Sequence, residues 1–287
     1  MFDPRSSRDV GVSSLGTMEL EGPARSRLKQ RLIHFWDTQP IYWELITDEI
    51  SANTPSRGRA ASFIREGSRI LDVACGSAAN AQWLKPRGSY FGCDISQGGL
   101  KRVQQSGLCL ACADAEALPF ADASFDAVIS TFALEHAVRP VQVLREMSRV
   151  VRSGGRIVLL GPTWDLPFWY PNALQSKSQR RGWRRSYTWQ RLLGHLRGWL
   201  FGEFPFLIVE DPDALSRPFV YDSDAVYIVW SYEVIQQMKR LGLRLVHCEV
   251  DDRMLGHRLL VRWLKRMLYL LPPYRHAGSS VLMVFER

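Results

Sequence analysis

The apolar positions of the chain change period twice. From Ala24 to Ile50 they recur at helical spacing: Leu28, Leu32, Ile33, Phe35 and Trp36, then Ile41, Trp43, Leu45 and Ile46. Pro40 divides this stretch into two helical pieces, and the polar run Ser51 to Gly58 predicts a turn. Beyond it, short apolar runs alternate with helical patterns. Strands are predicted over Arg69–Val73, Ser89–Asp94, Leu108–Ala113, Phe125–Thr131 and Arg156–Leu160, with helices to Leu84, over Gln97–Ser106 and over Pro140–Val151. Such alternation implies right-handed crossovers and a parallel sheet.

The rhythm breaks after Gly161. Residues 162–218 are Trp-rich, Pro-interrupted and basic, too long for a plain loop, and predict a helical insertion. A helix is expected near Val229–Leu241, then strands over Leu243–Val250 and Ser279–Phe285, with a second insertion between Leu255 and Leu271. The organisation expected is a disordered tail over 1–22, a helical lid over 23–66, a core over 67–161, the basic insertion over 162–226, and the rest of the core sheet over 227–287, with an amphipathic insertion near 252–275.

Composition changes this picture little, but charge does. Over 287 residues, 46% hydrophobic and 23% charged is ordinary globular usage, which excludes collagen-like, coiled-coil and disordered classes. No apolar run long enough to span a membrane is present, and no secretory leader pattern opens the chain. The five cysteines then suggest a reduced, cytoplasmic protein. The net charge is +8: residues 1–155 hold 18 Lys/Arg and 17 Asp/Glu, and residues 156–287 hold 19 and 12. The excess on the second half favours an anionic partner, unless it is simply a solvated basic surface.

The stretch that carries chemistry is Ile70-Leu-Asp-Val-Ala-Cys-Gly-Ser-Ala78. A strand ends in an acid, and small residues turn the chain into a helix, so that a ligand can approach the backbone. The G-x-G-x-x-G dinucleotide fingerprint and the P-loop Lys-Ser/Thr are both absent, which disfavours a pyrophosphate ligand. Asp94 closes the next strand, where an acid can take both hydroxyls of a ribose. Asp114 closes the third and can accept from an exocyclic amine such as that of adenine. Each Asp alone reads as a turn or cap residue; three on consecutive strand ends describe one crevice.

Leu71–Gly76, Gly92–Ser96, Asp114–Phe120, Ser124–Asp126, Leu134–His136 and Leu144–Gly155 together resemble the class I S-adenosylmethionine-dependent methyltransferases, in particular those with a quinone- or sterol-methyltransferase-like core. The resemblance spans about residues 69–161 and extends more weakly to the last two strands. It implies an α/β, doubly wound Rossmann-like sheet of seven strands, five parallel with a final antiparallel pair, carrying an N-terminal helical lid and two helical insertions. It implies S-adenosyl-L-methionine as cofactor, with Asp72, Ala74, Cys75 and Gly76 at its methionine end, Asp94 and Ile95 at the ribose, Asp114 and Ala115 at the adenine, and Thr131 and Phe132 facing the sulfonium and the acceptor. Ala74 and Ala78 stand where that family commonly has glycine, and Ala78 is expected to keep an ordinary backbone angle.

In-line transfer from a sulfonium requires donor and acceptor held at about 3–3.5 Å with water excluded, and no metal. A hydroxyl acceptor requires a base, for which His136 is the candidate; a packing or cap histidine is the alternative. Tyr42 and Trp43, on the lid, and Trp164 and Trp169, after the fifth strand, are candidate substrate contacts, with core packing the competing use of the lid aromatics. The pair Cys109 and Cys112 has metal-ligand spacing but no second pair, and is expected to pack. Asp222 and Asp224 are read as turn and cap residues. Lys177 to Leu200 contains seven Lys/Arg, no Asp/Glu, and Trp183, Trp189 and Trp199. Residues 256–271 predict a helix with Arg258, Arg262, Lys265 and Arg266 opposite Leu260, Trp263, Leu264, Met267 and Leu271. Both stretches fit either a membrane-surface helix, peripheral to the inner membrane face, or a substrate lid. Nucleic acid is disfavoured for want of a binding-fold signature. The function expected is methyl transfer to a small-molecule or lipid- or glycan-linked acceptor, at oxygen. The alternatives are carbon methylation of a membrane isoprenoid or quinone, and a non-catalytic, membrane-peripheral cofactor-binding protein.

Overall fold

The computed structural model describes residues 22–52, 54–103, 107–166, 183–209, 223–251 and 267–287. Seven strands form one sheet in the order β3-β2-β1-β4-β5-β7-β6: β1 Ser68–Val73, β2 Gly88–Asp94, β3 Cys109–Cys112, β4 Phe125–Thr131, β5 Val151–Pro162, β6 Arg244–Asp251 and β7 Ser280–Glu286. The first five are mutually parallel. Strand β7 runs antiparallel to both β5 and β6, so β6 keeps the direction of the first five and β7 alone is reversed. The central strands read as near-continuous apolar runs because they are covered on both faces. Leu71, Val73, Val128, Ile157, Leu159 and Met283 join one buried cluster, while their neighbours Ile70, Ile129, Val158, Leu160 and Val284 join the other.

Helix α6 (Pro140–Val150) packs Val143, Leu144, Met147 and Val150 into the first cluster and opens on a proline, whose missing N–H costs nothing in a first turn. The strand order reverses between β1 and β4, which opens a crevice at the carboxyl ends of those strands. Helices α1 (Gly22–Thr38), α2 (Pro40–Ala52) and α3 (Thr54–Ala61) supply side chains to that crevice.

Several expected boundaries shift. Residues 54–61, which overlap the expected polar turn Ser51 to Gly58, are helical, because Ala60 and Ala61 bury themselves against the sheet and stabilise a helix of low intrinsic preference. Strand β5 begins at Val151, before the expected turn residues, with a register irregularity opposite Phe125 and Ala127 and Gly154 at φ +71°. Helix α4 is confined to Ala81–Leu84 and α5 to Gln97–Leu100. Cys109 and Cys112 are exposed rather than packed, since β3 is an edge strand. Within the first insertion, α7 spans Trp183–Phe201, and α8 (Ser231–Arg240) precedes β6. Trp169, Asp222 and the helix expected to begin at residue 256 fall outside the described residues, apart from the last residues of that helix.

Candidate active site

Between the sheet edge and helices α1 and α2 lies a cleft, open to solvent at its mouth. Its floor is the turn after β1. Ala74 sits at φ +57° and Gly76 at φ +54°, so the chain doubles back through the left-handed region. Ala78 is also at φ +57°, contrary to the expected ordinary angle: the turn into α4 demands that conformation even though an alanine there costs about 1–2 kcal/mol. Phe132, just past β4 in the same cleft, is a third non-glycine residue there at positive φ (+51°), and such strain concentrates at functional sites.

Asp94 is buried and its carboxylate is fixed by two backbone donors. The Gly76 N–H donates to Oδ2 at 2.7 Å and the Ser96 N–H to Oδ1 at 2.7 Å. Burial raises its pKa, and these two hydrogen bonds oppose the rise. Each oxygen keeps a second lone pair for a ligand hydroxyl. Asp114 accepts the Glu116 N–H at 2.9 Å and is ion-paired with Lys29 of α1, whose Nζ also lies 2.7 Å from Glu116. Asp37 of α1 accepts from the Ser96 hydroxyl and the Gly98 N–H, both at 2.8 Å. Trp43 of α2 lies over the floor: a β-carbon on Gly99 would stand 2.5 Å from its ring, so only glycine lets the lid seat there. These contacts hold α1 and α2 onto the strand ends.

Ala74, Cys75, Gly76, Asp94, Ile95, Asp114, Ala115, Thr131, Phe132, His136, Tyr42 and Trp43 all line the cleft. Two candidate residues do not. Trp164 is 3% exposed within the main core, because the chain after β5 turns under the sheet edge and its N–H donates to the Val229 carbonyl. Asp72 is fully buried beneath the cleft wall. It accepts from Asn80 Nδ2 at 3.1 Å and from the Tyr90 hydroxyl at 3.0 Å, and burial pushes its pKa up to about 7. Asn80 does line the cleft, so Asp72 acts by holding Asn80.

Sequence reasoning missed Arg57. It is 7% exposed, donates to Asn80 Oδ1 at 2.9 Å and to Thr131 Oγ1 at 2.5 Å, and lies over the Phe132 ring at 4.9 Å. Asn80 Nδ2 in turn reaches Thr131 Oγ1 at 2.9 Å. Arg57 puts a positive charge in the cleft wall beside Asn80 and Thr131, where a carboxylate would be welcome. Its signal was hidden because it stands in a run that reads as a turn. Lys29 and Asp37 were hidden among the exposed charges of an ordinary amphipathic helix.

His136 stands in a 3₁₀ turn, Leu134–His136, after β4. Its Nδ1 faces the Asp224 main-chain carbonyl oxygen, its hydrogen-bond partner at 3.4 Å, and also lies 3.4 Å from Asp224 Oδ2; its Nε2 is 3.9 Å from Glu135 Oε1, and its ring meets Trp36 edge-on at 5.9 Å. Asp224 is 1% exposed and also accepts from Trp36 Nε1 at 2.9 Å, so it is a partner of the site rather than a simple turn residue. A buried carboxylate behind one imidazole nitrogen fixes the tautomer and orients the ring. The two residues are 88 positions apart, so no local signal joins them.

The cleft fits S-adenosylmethionine: short side chains line its floor, two carboxylates close the strand ends, and a buried guanidinium lies at the other end. Among the described residues no cluster of three or more His, Cys, Asp or Glu is arranged to hold a metal.

Residues 71–159 match the family described as methyltransferase domain. A demethylmenaquinone methyltransferase of Mycobacterium sp. (strain KMS) is 43% identical over 101 residues, 35% of this chain and 44% of that protein. One of Beutenbergia cavernae is 35% identical over 136 residues, 45% of this chain and 56% of that protein. The chain thus spans about half the length of these curated relatives. A solved SAM-dependent methyltransferase from Thermotoga maritima superposes with a TM-score of 0.53 at 13% identity, covering 89% of this chain and 99% of that one. The YcgJ protein from Bacillus subtilis does so with a TM-score of 0.50 at 14% identity, covering 82% and 98%. These likenesses carry the fold, and over residues 71–159 the matched sequence is that of a methyltransferase domain.

Proposed function

We propose that the whole chain transfers a methyl group from S-adenosylmethionine to a hydroxyl-bearing, small-molecule or lipid- or glycan-linked acceptor. The observation that carries this reading is the pairing, in one cleft, of the Asp94 carboxylate with an imidazole backed by a buried acid. Asp94 holds the ribose hydroxyls and Asp114 the adenine edge. Arg57, through its guanidinium, and the loop from Ala74 to Gly76 hold the methionine end. When bound, the cofactor supplies an electrophilic methyl on its sulfonium.

The work of the remaining residues is positional and protolytic. Trp36, Tyr42 and Trp43 close over the cleft and exclude water. With Nδ1 turned toward Asp224, Nε2 of His136 takes the proton of an acceptor hydroxyl. The hydroxyl oxygen so exposed is the nucleophile, and methylation falls on oxygen. A second reading is supported by the relatives named demethylmenaquinone methyltransferases. In it the acceptor is a quinol-type ring, and loss of the hydroxyl proton makes an adjacent ring carbon the nucleophile.

Incubating the protein with methyl-labelled donor and extracts or hydroxylated aromatic panels, then locating the label by mass spectrometry and NMR, tests both readings. A labelled methoxy product supports the first and a labelled ring methyl the second. His136→Ala is expected to lower the rate about 10²–10⁴-fold. Absence of any labelled product, with cofactor bound, would remove the enzymatic reading of the whole chain.

A further inference from the structure

Helix α7 is amphipathic in the reverse of the usual sense. The side it turns to the protein carries Arg191, Gly194, His195 and Gly198, all buried. His195 stacks on Trp230 with ring centroids 3.9 Å apart, and its Nδ1 lies 3.1 Å from the Tyr274 hydroxyl. A β-carbon on Gly194 would stand 2.7 Å from Pro205, and one on Gly198 2.8 Å from Phe204. The helix is therefore seated by close packing and cannot roll over. Its outer side carries Trp189, Leu193, Leu196 and Leu200 at i, i+4, i+7 and i+11, all exposed, with Trp199 and the 72%-exposed Phe201 beside them. Leu270 and Leu271, close to the Pro272–Tyr274 turn on which α7 packs, are exposed as well. A contiguous apolar face of this kind marks an interaction surface.

Charge decides what covers it. Arg191 is buried and Arg197 is paired with Glu203, but residues 156–287 as a whole hold 19 Lys/Arg against 12 Asp/Glu, most of the chain's positive excess. A second copy would bring together two chains of like net charge, whereas an anionic bilayer would attract that charge and take the exposed leucines and tryptophans into its headgroup boundary. The placement is also suitable. Helix α8 leads into β6, which runs with the first five strands, so α8 begins at their carboxyl edge; α7 packs on Trp230 at that beginning. The apolar face thus belongs to the same edge of the sheet as the cleft.

We propose that the outer face of α7 docks this protein on an anionic lipid surface, with the cleft edge of the sheet toward the membrane. The inference concerns where the protein works, not which atom it methylates, and it is read without donor or acceptor. The test is flotation of the full chain with vesicles of phosphatidylcholine alone and of phosphatidylcholine mixed with phosphatidylglycerol. The wild type is expected to float with the mixed vesicles and much less with the neutral ones, and to be released by salt. In a Leu196→Glu/Leu200→Glu variant, vesicle partitioning is expected to fall at least about tenfold, with S-adenosylmethionine affinity and Tm unchanged. The proposal is overturned if the wild type stays with the soluble fraction, floats equally with both vesicles, or floats undiminished in the variant. It is equally overturned if the wild type is a dimer that the variant dissolves, or if the variant lowers Tm, which would mean that the face is covered within the chain itself.

Discussion

Replacing Asp72 by asparagine should make the protein more stable, and increasingly so as pH rises. Asp72 is fully buried, and burial outweighs its hydrogen bonds from Asn80 and Tyr90 and the attraction of Arg57, so its pKa rises from 3.8 to about 7. A carboxyl whose pKa is raised by folding stabilises the native state below its unfolded pKa and loses that contribution as pH climbs through the folded value. The native state keeps Asp72 protonated while the unfolded chain ionises it, which costs stability between about pH 4 and 7. At about 1.4 kcal/mol per unit, the shift amounts to about 4 kcal/mol as a ceiling. Asparagine keeps the shape: its carbonyl can still accept from Asn80, and its amide can donate to the Tyr90 hydroxyl. Asp165 and Glu233 are also buried with raised values, to about 6 and about 8, so the wild-type curve alone mixes several groups. The difference between variant and wild type isolates Asp72. Urea unfolding of both proteins at pH 5 and pH 8 should show the variant gaining about 2–3 kcal/mol on the wild type over that interval. A difference that does not change with pH, or that runs the other way, would refute the placement of an uncomfortable buried acid beneath the cleft.

Ala74→Gly should stabilise the fold by about 0.5–1 kcal/mol, since relief of the positive φ exceeds the extra freedom of glycine in the unfolded chain; a fall in Tm would contradict the strained turn. Arg57→Met removes the donor shared by Asn80 and Thr131 and the charge at that end of the cleft, and calorimetry should show S-adenosylmethionine binding weakened at least about tenfold. Asp224→Asn should leave cofactor affinity unchanged and lower the transfer rate by about tenfold or more, as the imidazole loses the anion that orients it. An equal loss of affinity and rate in that variant would assign Asp224 a purely structural role.

Much of the fold was legible because the strands are buried on both faces and punctuated by turn residues. Ile70–Val73 and Phe125–Thr131 are apolar runs of strand length, and α6 has a clean stripe opening on Pro140. The boundaries that moved are those set by tertiary contacts. Residues 54–61 form a helix only because Ala60 and Ala61 find the sheet, and β5 begins early because Val151 pairs with Phe125. The cleft's strand-end acids could be read from position alone. The residues that came from elsewhere in the chain could not: Lys29, Arg57 and Asp224 each reach the site from a segment whose local pattern is commonplace. Ala78 was misread because a turn's demand for positive φ depends on where the following helix must go, which the sequence states only when glycine is there.

The account stands or falls on what Asp94 does in the cleft. Titrating the protein calorimetrically with S-adenosylmethionine should give saturable binding at one site per chain, and Asp94→Ala should weaken it by about a hundredfold or abolish it, as the carboxylate that would accept the ribose hydroxyls is lost together with its anchors on the Gly76 and Ser96 N–H. No heat with the wild type, or an affinity indifferent to the loss of Asp94, would contradict it.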